Sequence, residues 1–451
     1  MPRRCSTDAF LMGRSVVGVL AALVGAGALF FALAAVRHDG QDDFLTDPPD
    51  FRAFYCAGAA LDAGGDPYRV EPVRSCQRAV LAASHLVLDE HHVLIAPLPP
   101  CALVLFGLFA RLPFWVAARL WLVLCLAALT VTTLLTRRLT GLPLPVVAVA
   151  LLGSLGVASL VLGQLVPIVA AALVIAALAA RRGAGRLAGA AAGCLALEPH
   201  VALPVWLGLT VLAPRLRLPL AGAASVLVVM SLAFGVQLNL EYLYNVVPAH
   251  ARSEIMNFPA QYSLSSLLWR LGVGIPRALA LGAASYGAML IVGVAVAAAL
   301  MRRTRDASFA VLVPPSVALI GGPFVHAHQM ALALPCALLL WTCAPPRSLA
   351  RTLAIAAVVA LAIPWETLAE SSLVADRFTA RAVRPPIALR LPTPNEPIEQ
   401  SYTAFIDANA NRADLRTPFE QAVWKFPTWL ALLAVPAAGM LVTRMPQAKR
   451  I

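Results

Sequence analysis

The sequence predicts an all-α polytopic membrane protein, and three observations predict it. Hydrophobic residues make up 60% of the 451-residue chain and charged residues only 13%, whereas a soluble domain carries about 25% charged residues. Apolar runs of about 20 residues recur, the length that crosses a bilayer as a helix. These runs are blocks of Ala, Leu and Val, without the period-2 alternation of an outer-membrane barrel. The net charge of +12 rests almost wholly on arginine, since only Lys425 and Lys449 are lysines. In a membrane chain such an excess orients and anchors the spans, and no nucleic-acid partner is expected.

The first apolar run, 15–36, follows Arg3, Arg4 and Arg14 and contains an A-x-A pattern at Ala32–Ala34. It imitates a signal peptide but is too long for a typical h-region, and it reads as an uncleaved first helix. Further spans are expected at 97–111, 114–136, 143–160, 165–180, 187–213, 217–238, 276–301, 308–323, 328–345, 348–365 and 427–443, about twelve in all. The second and the ninth are short enough to be tilted or re-entrant. Polar segments 37–96, 239–275 and 366–426 interrupt the series.

Basic span ends set the orientation. Arg3-Arg4, Arg302-Arg303, Arg305, Arg347 with Arg351, and Lys449-Arg450 should be cytoplasmic. Both termini are then inside, in the inner or plasma membrane, and the three polar segments outside. The first of these carries ten acids against five arginines, which suits the outer face. The same count puts Arg137-Arg138 and Arg181-Arg182 outside, against the rule. Either the count is wrong there, with some spans re-entrant, or those arginines meet an anion such as a lipid phosphate, which Arg binds bidentately. Cys56 and Cys76 share the first polar segment, where a disulfide and two free thiols are both open. The other six cysteines fall in or beside apolar spans, as small hydrophobes.

Carboxylates gathered at the membrane–water boundary, rather than at mid-membrane on broken helices as in transporters, suit a reaction between a lipid-borne donor and a water-exposed acceptor. The motifs that bear on this are Asp50-Phe51 with Tyr55, Gly65-Asp66-Pro67-Tyr68, Pro97-Leu98-Pro99-Pro100, Gly163-Gln164, Gln261-Tyr262-Ser263-Leu264 and His326-Ala327-His328. In their order and placement, over roughly residues 15–345, the chain resembles glycosyltransferase family 87. That family has the GT-C fold and contains polyprenol-phosphate-mannose-dependent mannosyltransferases. The resemblance implies one membrane domain over 1–451, with 346–451 as C-terminal helices, and an active site on the extracytoplasmic face. It implies transfer of a sugar, a hexose such as mannose, from a polyprenyl-phosphate donor to a lipid or glycan acceptor, with inversion. The partners are that donor, that acceptor and membrane lipids. No cofactor and no metal ligand is assigned. A transporter or flippase for a lipid-linked glycan is the competing reading, and an envelope-assembly scaffold a third.

Under the resemblance Asp50 is the general base that takes the acceptor hydroxyl's proton. Its bland alternative is a helix N-cap or a solvated acid, and Asp42, Asp43 and Asp47 are nearby rivals. Tyr55, Asp66 and Tyr68 are substrate-binding candidates, although Gly64-Gly65-Asp66-Pro67 also reads as a plain turn. Gln164, Gln261 and Ser263 could bond a substrate or cap helices. His326 and His328 lie at i and i+2, which do not share a helix face, so the pair alone makes no bidentate metal site. One of them facing a phosphate or sugar is the expectation. The chain departs from the family pattern at Glu198-Pro199-His200, where a basic residue in a K-x-x-P-like break is usual. An acid in an apolar span is a site candidate, and Glu198 and His200 are expected at the donor.

Overall fold

Proline and glycine set most element boundaries. The computed structural model describes residues 47–83, 88, 90–153, 157–257, 261–363, 365, 390–413 and 423–445. The expected first span, its signal-like start, Asp42 and Asp43 lie outside them. Helix α1 (Pro49–Asp62) opens with Pro49, whose missing N–H costs nothing in a first turn. A Cys56–Cys76 disulfide joins it to α2 (Val70–Ala83), so the first of the two cysteine alternatives is the one found.

Helix α3 (Pro100–Ala110) packs along α1. A Cβ on Gly58 would stand 2.4 Å from backbone atoms of Phe106 and Gly107, so only glycine lets the two helices approach this closely. The Tyr55 hydroxyl donates to the Leu112 carbonyl at 2.8 Å. The expected second span, 97–111, is thus represented by an 11-residue helix packed along α1.

Next come α4 (Phe114–Thr140), α5 (Leu144–Leu151), α6 (Val157–Leu162), α7 (Val166–Arg182), α8 (Gly185–Cys194), α9 (Pro199–Leu212) and α10 (Arg217–Leu232). The expected single span 187–213 is two arms. Helix α8 ends in a 3-10 turn, Leu195–Leu197, and Pro199 starts α9. Gly185, at the start of α8, lies against Leu216 and Pro219, just beyond the end of α9. The Trp206 indole donates across the arms to Ala192 at 2.7 Å. The hairpin's tip is Glu198. Apolar content alone cannot tell a straight span from a folded one, because both bury the same residue types.

The chain continues through α11 (Val236–Glu241), a π turn, α12 (Val247–Met256), α13 (Leu264–Arg270), α14 (Ile275–Thr304), α15 (Phe309–Ala318), α16 (Ala327–Met330), α17 (Leu334–Cys343), α18 (Leu349–Ala362), α19 (Ile398–Ala413) and α20 (Phe426–Arg444). No strand occurs among the described residues. Isolated antiparallel bridges join Arg69 to Pro397 and Gln261 to His326. Four helices, Phe114–Thr140, Pro214–Leu232, Ile275–Thr304 and Phe426–Arg444, are long and apolar enough to cross a membrane among the described residues. Apolar side chains on their outer faces stand free, with Leu218 83% and Ile291 71% exposed. Patches of this kind fit a lipid surround and not water.

Three basic helix ends meet at one end of the bundle. Arg181, at the end of α7, donates to the Leu139 carbonyl near the end of α4 at 2.7 Å. Its guanidinium also grips Asp306, just past α14, with Nε at 3.0 Å from Oδ1. Arg137-Arg138, Arg181-Arg182 and Arg302-Arg303 therefore share one end. The sequence-based count set the first two pairs across the membrane from the third, and this shared end does not fit that arrangement; Arg181 meets the Leu139 carbonyl and Asp306 there.

Candidate active site

At the opposite end of the bundle, buried polar groups from distant segments come together. Asp50 stands in the first turn of α1, and Pro48, not Asp50, occupies the N-cap position. Its carboxylate accepts a short hydrogen bond from the Gln164 amide. The bond depends on Gly163, which has φ +73 and would set a Cβ 2.8 Å from that of Phe51. Only glycine adopts that dihedral freely and lets the 163–164 turn touch α1. The Trp121 indole, stacked on Phe51, donates to the Gly163 carbonyl at 2.9 Å and fixes the turn. Asp47, the described rival, is engaged by Arg52.

The Asp50 carboxyl is pushed up to about 7. Burial is the main cause, opposed by the Gln164 hydrogen bond, reinforced by the charge of Glu254 and opposed again by Arg52. Glu254 lies on α12, 2% exposed. Tyr402 of α19 donates to its Oε1 at 3.0 Å, and Gln261 donates to its Oε2 at 2.7 Å. Burial pushes this carboxyl up as well, but His326, His250, Asn257 and Tyr402 outweigh it and hold it below its ordinary value. A carboxyl poised near neutrality and one held ionised within its field form a pattern common at catalytic sites.

Gln261 also accepts from the Val325 amide at 2.8 Å and lies against the His326 ring. His326 caps α16 in a capping box with Gln329. Because its backbone is extended, it is not bound by helix-face geometry, and its ring stacks on that of His328 with centroids 5.3 Å apart. The two rings therefore lie together, which an i, i+2 spacing within a helix would not give. Gln329 donates to Glu198 at 3.1 Å, and His200 Nδ1 is 3.5 Å from the same carboxylate. The tip of the α8–α9 hairpin thereby joins the cluster.

Other expected site residues serve the scaffold. Besides Tyr55, the Tyr68 hydroxyl is buried on the Leu98 carbonyl at 2.7 Å. Asp66 accepts from the Tyr68 amide at 2.9 Å, closing its own turn. Ser263 caps α13 by accepting from Ser266 at 3.2 Å. Asp66 and Ser263 are engaged locally at bends, where orphan backbone groups need partners, while the two tyrosine hydroxyls tie α1 and its following turn to the 98–112 stretch.

Sequence reasoning missed His250, Glu254, Glu399, Tyr402 and Lys425. His250 and Glu254 sit at i and i+4 on one helix in a polar segment, a signal that was present. Glu399 and Tyr402 come from the third polar segment, and no local pattern brings them here. The segment is laced to the first polar segment, with Val70 N–H to the Glu396 carbonyl and Ile398 N–H to the Tyr68 carbonyl, both at 3.0 Å.

The sequence model of one family, glycosyltransferase family 87, matches residues 98–322, about half of the chain. Gln164, Glu198, His200, Gln261 and Ser263 fall within the matched stretch, while Asp50, Tyr55, Asp66, Tyr68, His326 and His328 fall outside it. No curated protein and no solved structure matches the chain.

Proposed function

Because the chain belongs to glycosyltransferase family 87 and is a membrane glycosyltransferase, we propose that its polar cluster transfers a hexose such as mannose from a polyprenyl-phosphate donor to an extracytoplasmic lipid or glycan. Asp50 is the base in this reading. It takes the proton of the acceptor hydroxyl while that oxygen forms a bond to the anomeric carbon. The bond from that carbon to the phosphate oxygen breaks, and polyprenyl phosphate leaves with the electron pair. One displacement inverts the centre and needs one base, unlike the paired carboxylates of hydrolases. The observation that carries the reading is the Asp50 carboxylate, held by Gln164 and raised to about 7, near the pH at which a base works best.

The same reading extends to topology. We count twelve crossings: 15–36, α4, the run 144–162, α7, α8, α9, α10, α14, α15, the run 327–343, α18 and α20. Helix α3 drops out of the sequence-based list and the hairpin enters as two. The arginine pairs Arg137-Arg138, Arg181-Arg182 and Arg302-Arg303 then all face the cytoplasm, in keeping with the positive-inside rule. The Cys56–Cys76 disulfide supports an oxidising, extracytoplasmic side for α1.

The test is transfer of radiolabel from polyprenyl-phosphate sugars to extracted envelope lipids by the purified protein. Asp50→Asn should lower the rate by about a hundredfold or more while the variant folds normally. Retention of most of the activity would remove Asp50 as the base.

A further inference from the structure

One group in the cluster has no role in the proton transfer. His250, Glu254 and His326 each present a donor atom, and these atoms all lie within 4.8 Å of one another. Glu399, on α19, adds a carboxylate oxygen 3.7 Å from His250 Nδ1. We propose that His250, Glu254 and His326, completed by Glu399, bind one divalent transition cation of the zinc or manganese class.

Three observations support the site. The first is unmet hydrogen bonding. His250 Nδ1 and both carboxylate oxygens of Glu399 are buried and make no hydrogen bond of normal length, facing each other only at 3.7 Å, and Glu399 is only 3% exposed. A buried carboxylate left so is costly unless a cation meets it.

The second is geometry. Around tetrahedral zinc, ligands at about 2.0–2.1 Å stand about 3.4 Å apart. Glu254 Oε2 and His326 Nε2 are already 3.5 Å apart. The other ligand atoms, at up to 4.8 Å from one another, must close by up to about 1.4 Å to reach that spacing. The Gln261 amide nitrogen now lies between them, 2.7 Å from Glu254 and 3.1 Å from His326 Nε2, a donor drawn to the point on which the acceptors converge. Tyr402 fixes the other oxygen of Glu254, as outer partners of metal-bound carboxylates do.

The third is charge. The carboxyls of Glu254 and Glu399 repel each other across the site, while Arg52 acts on Asp50 and Lys425 donates to the Gln261 carbonyl. Two imidazoles with carboxylates favour a borderline ion over magnesium or calcium, which prefer all-oxygen sets. On the transferase reading the cation would face the donor's phosphate, but its binding needs no substrate.

The full-length protein in detergent is stripped with chelator, then titrated with zinc, manganese and magnesium without donor or acceptor. Bound metal is measured by mass spectrometry. About one zinc or manganese per chain is expected, with magnesium weaker. Cobalt should give a visible absorption band of a histidine-bound ion. His326→Ala and the near-isosteric Glu254→Gln should lose the site, and Tyr402→Phe should weaken it by about 10–100-fold. Each variant's melting temperature without metal shows whether it is folded. Where a ligand variant fails to fold, Tyr402→Phe and the cobalt band of the wild type decide. No binding by the wild type overturns the proposal, as does equal binding by folded ligand variants or a wild-type cobalt band without histidine character. Loss of metal binding with transfer intact would leave the transferase reading standing, and the reverse result would leave the metal site standing.

Discussion

Asp50 carries the sharpest expectations. Its folded-state value of about 7 lies above the ordinary 3.8, so the native protein holds the proton more tightly than the unfolded chain. Its contribution to stability is therefore full below about 4 and falls as the pH rises through about 7. Activity runs the other way, because a base must be ionised: kcat/KM should climb with an apparent pKa near 7. Gln164→Leu removes a hydrogen bond that lowers this value, so the rising limb should move to higher pH while the Asp50 side chain is intact. An unshifted limb in a folded Gln164→Leu variant would show that the amide does not tune the base. Gly163→Val introduces both a strained dihedral and a clash with Phe51. It should cost about 1–3 kcal/mol, read as a lower melting temperature, and should depress transfer beyond its effect on folding.

Among the elements, the α8–α9 hairpin shows what sequence reading can and cannot do. The acid before Pro199 was legible as a probable site within an apolar run, and it does join the polar cluster. The fold-back was not legible, because Gly185, Gly189 and Gly208 act through close approach to Pro219 and Ala310, contacts distant in sequence. The hairpin gives Glu198 and His200 a common test. If they serve the donor, Glu198→Gln should change the pH dependence of transfer and His200→Ala should raise the apparent KM for the lipid donor. If they only brace the tip, both changes should lower the melting temperature and leave the kinetics of the folded fraction unaltered. Helix periodicity does not govern His326. The residue caps a helix and does not lie within one.

At the scale of the whole molecule, composition revealed the class, and the meeting of Arg181 with Leu139 and Asp306 sets together the basic helix ends that charge counting had separated. Single-cysteine reporters, in a background keeping Cys56 and Cys76, test the arrangement at exposed positions. Reporters at 63 and 244 should react only from outside, and those at 138 and 182 only from inside. Outside labelling at 138 would break the proposed order of crossings. What no scan could supply was the last polar segment's share in the cluster. Glu399 and Tyr402 arrive from about 350 residues beyond Asp50, by way of the lacing between 68–71 and 394–398.

That lacing bears on biogenesis. A nascent chain emerging from the ribosome makes Asp50 and Gln164 early, and the stretch through residue 345 already holds everything the family model covers. Yet Glu254 has no Tyr402 until the third polar segment has been made and has found the first. The newborn protein should therefore stay inert through most of its insertion, incapable of spending lipid-linked sugar before it is fully threaded. Residues 1–345 expressed alone should reach the membrane without transferring sugar, and co-expression of 346–451 should restore activity in trans. Activity in the fragment alone would place the whole reaction in the early part of the chain.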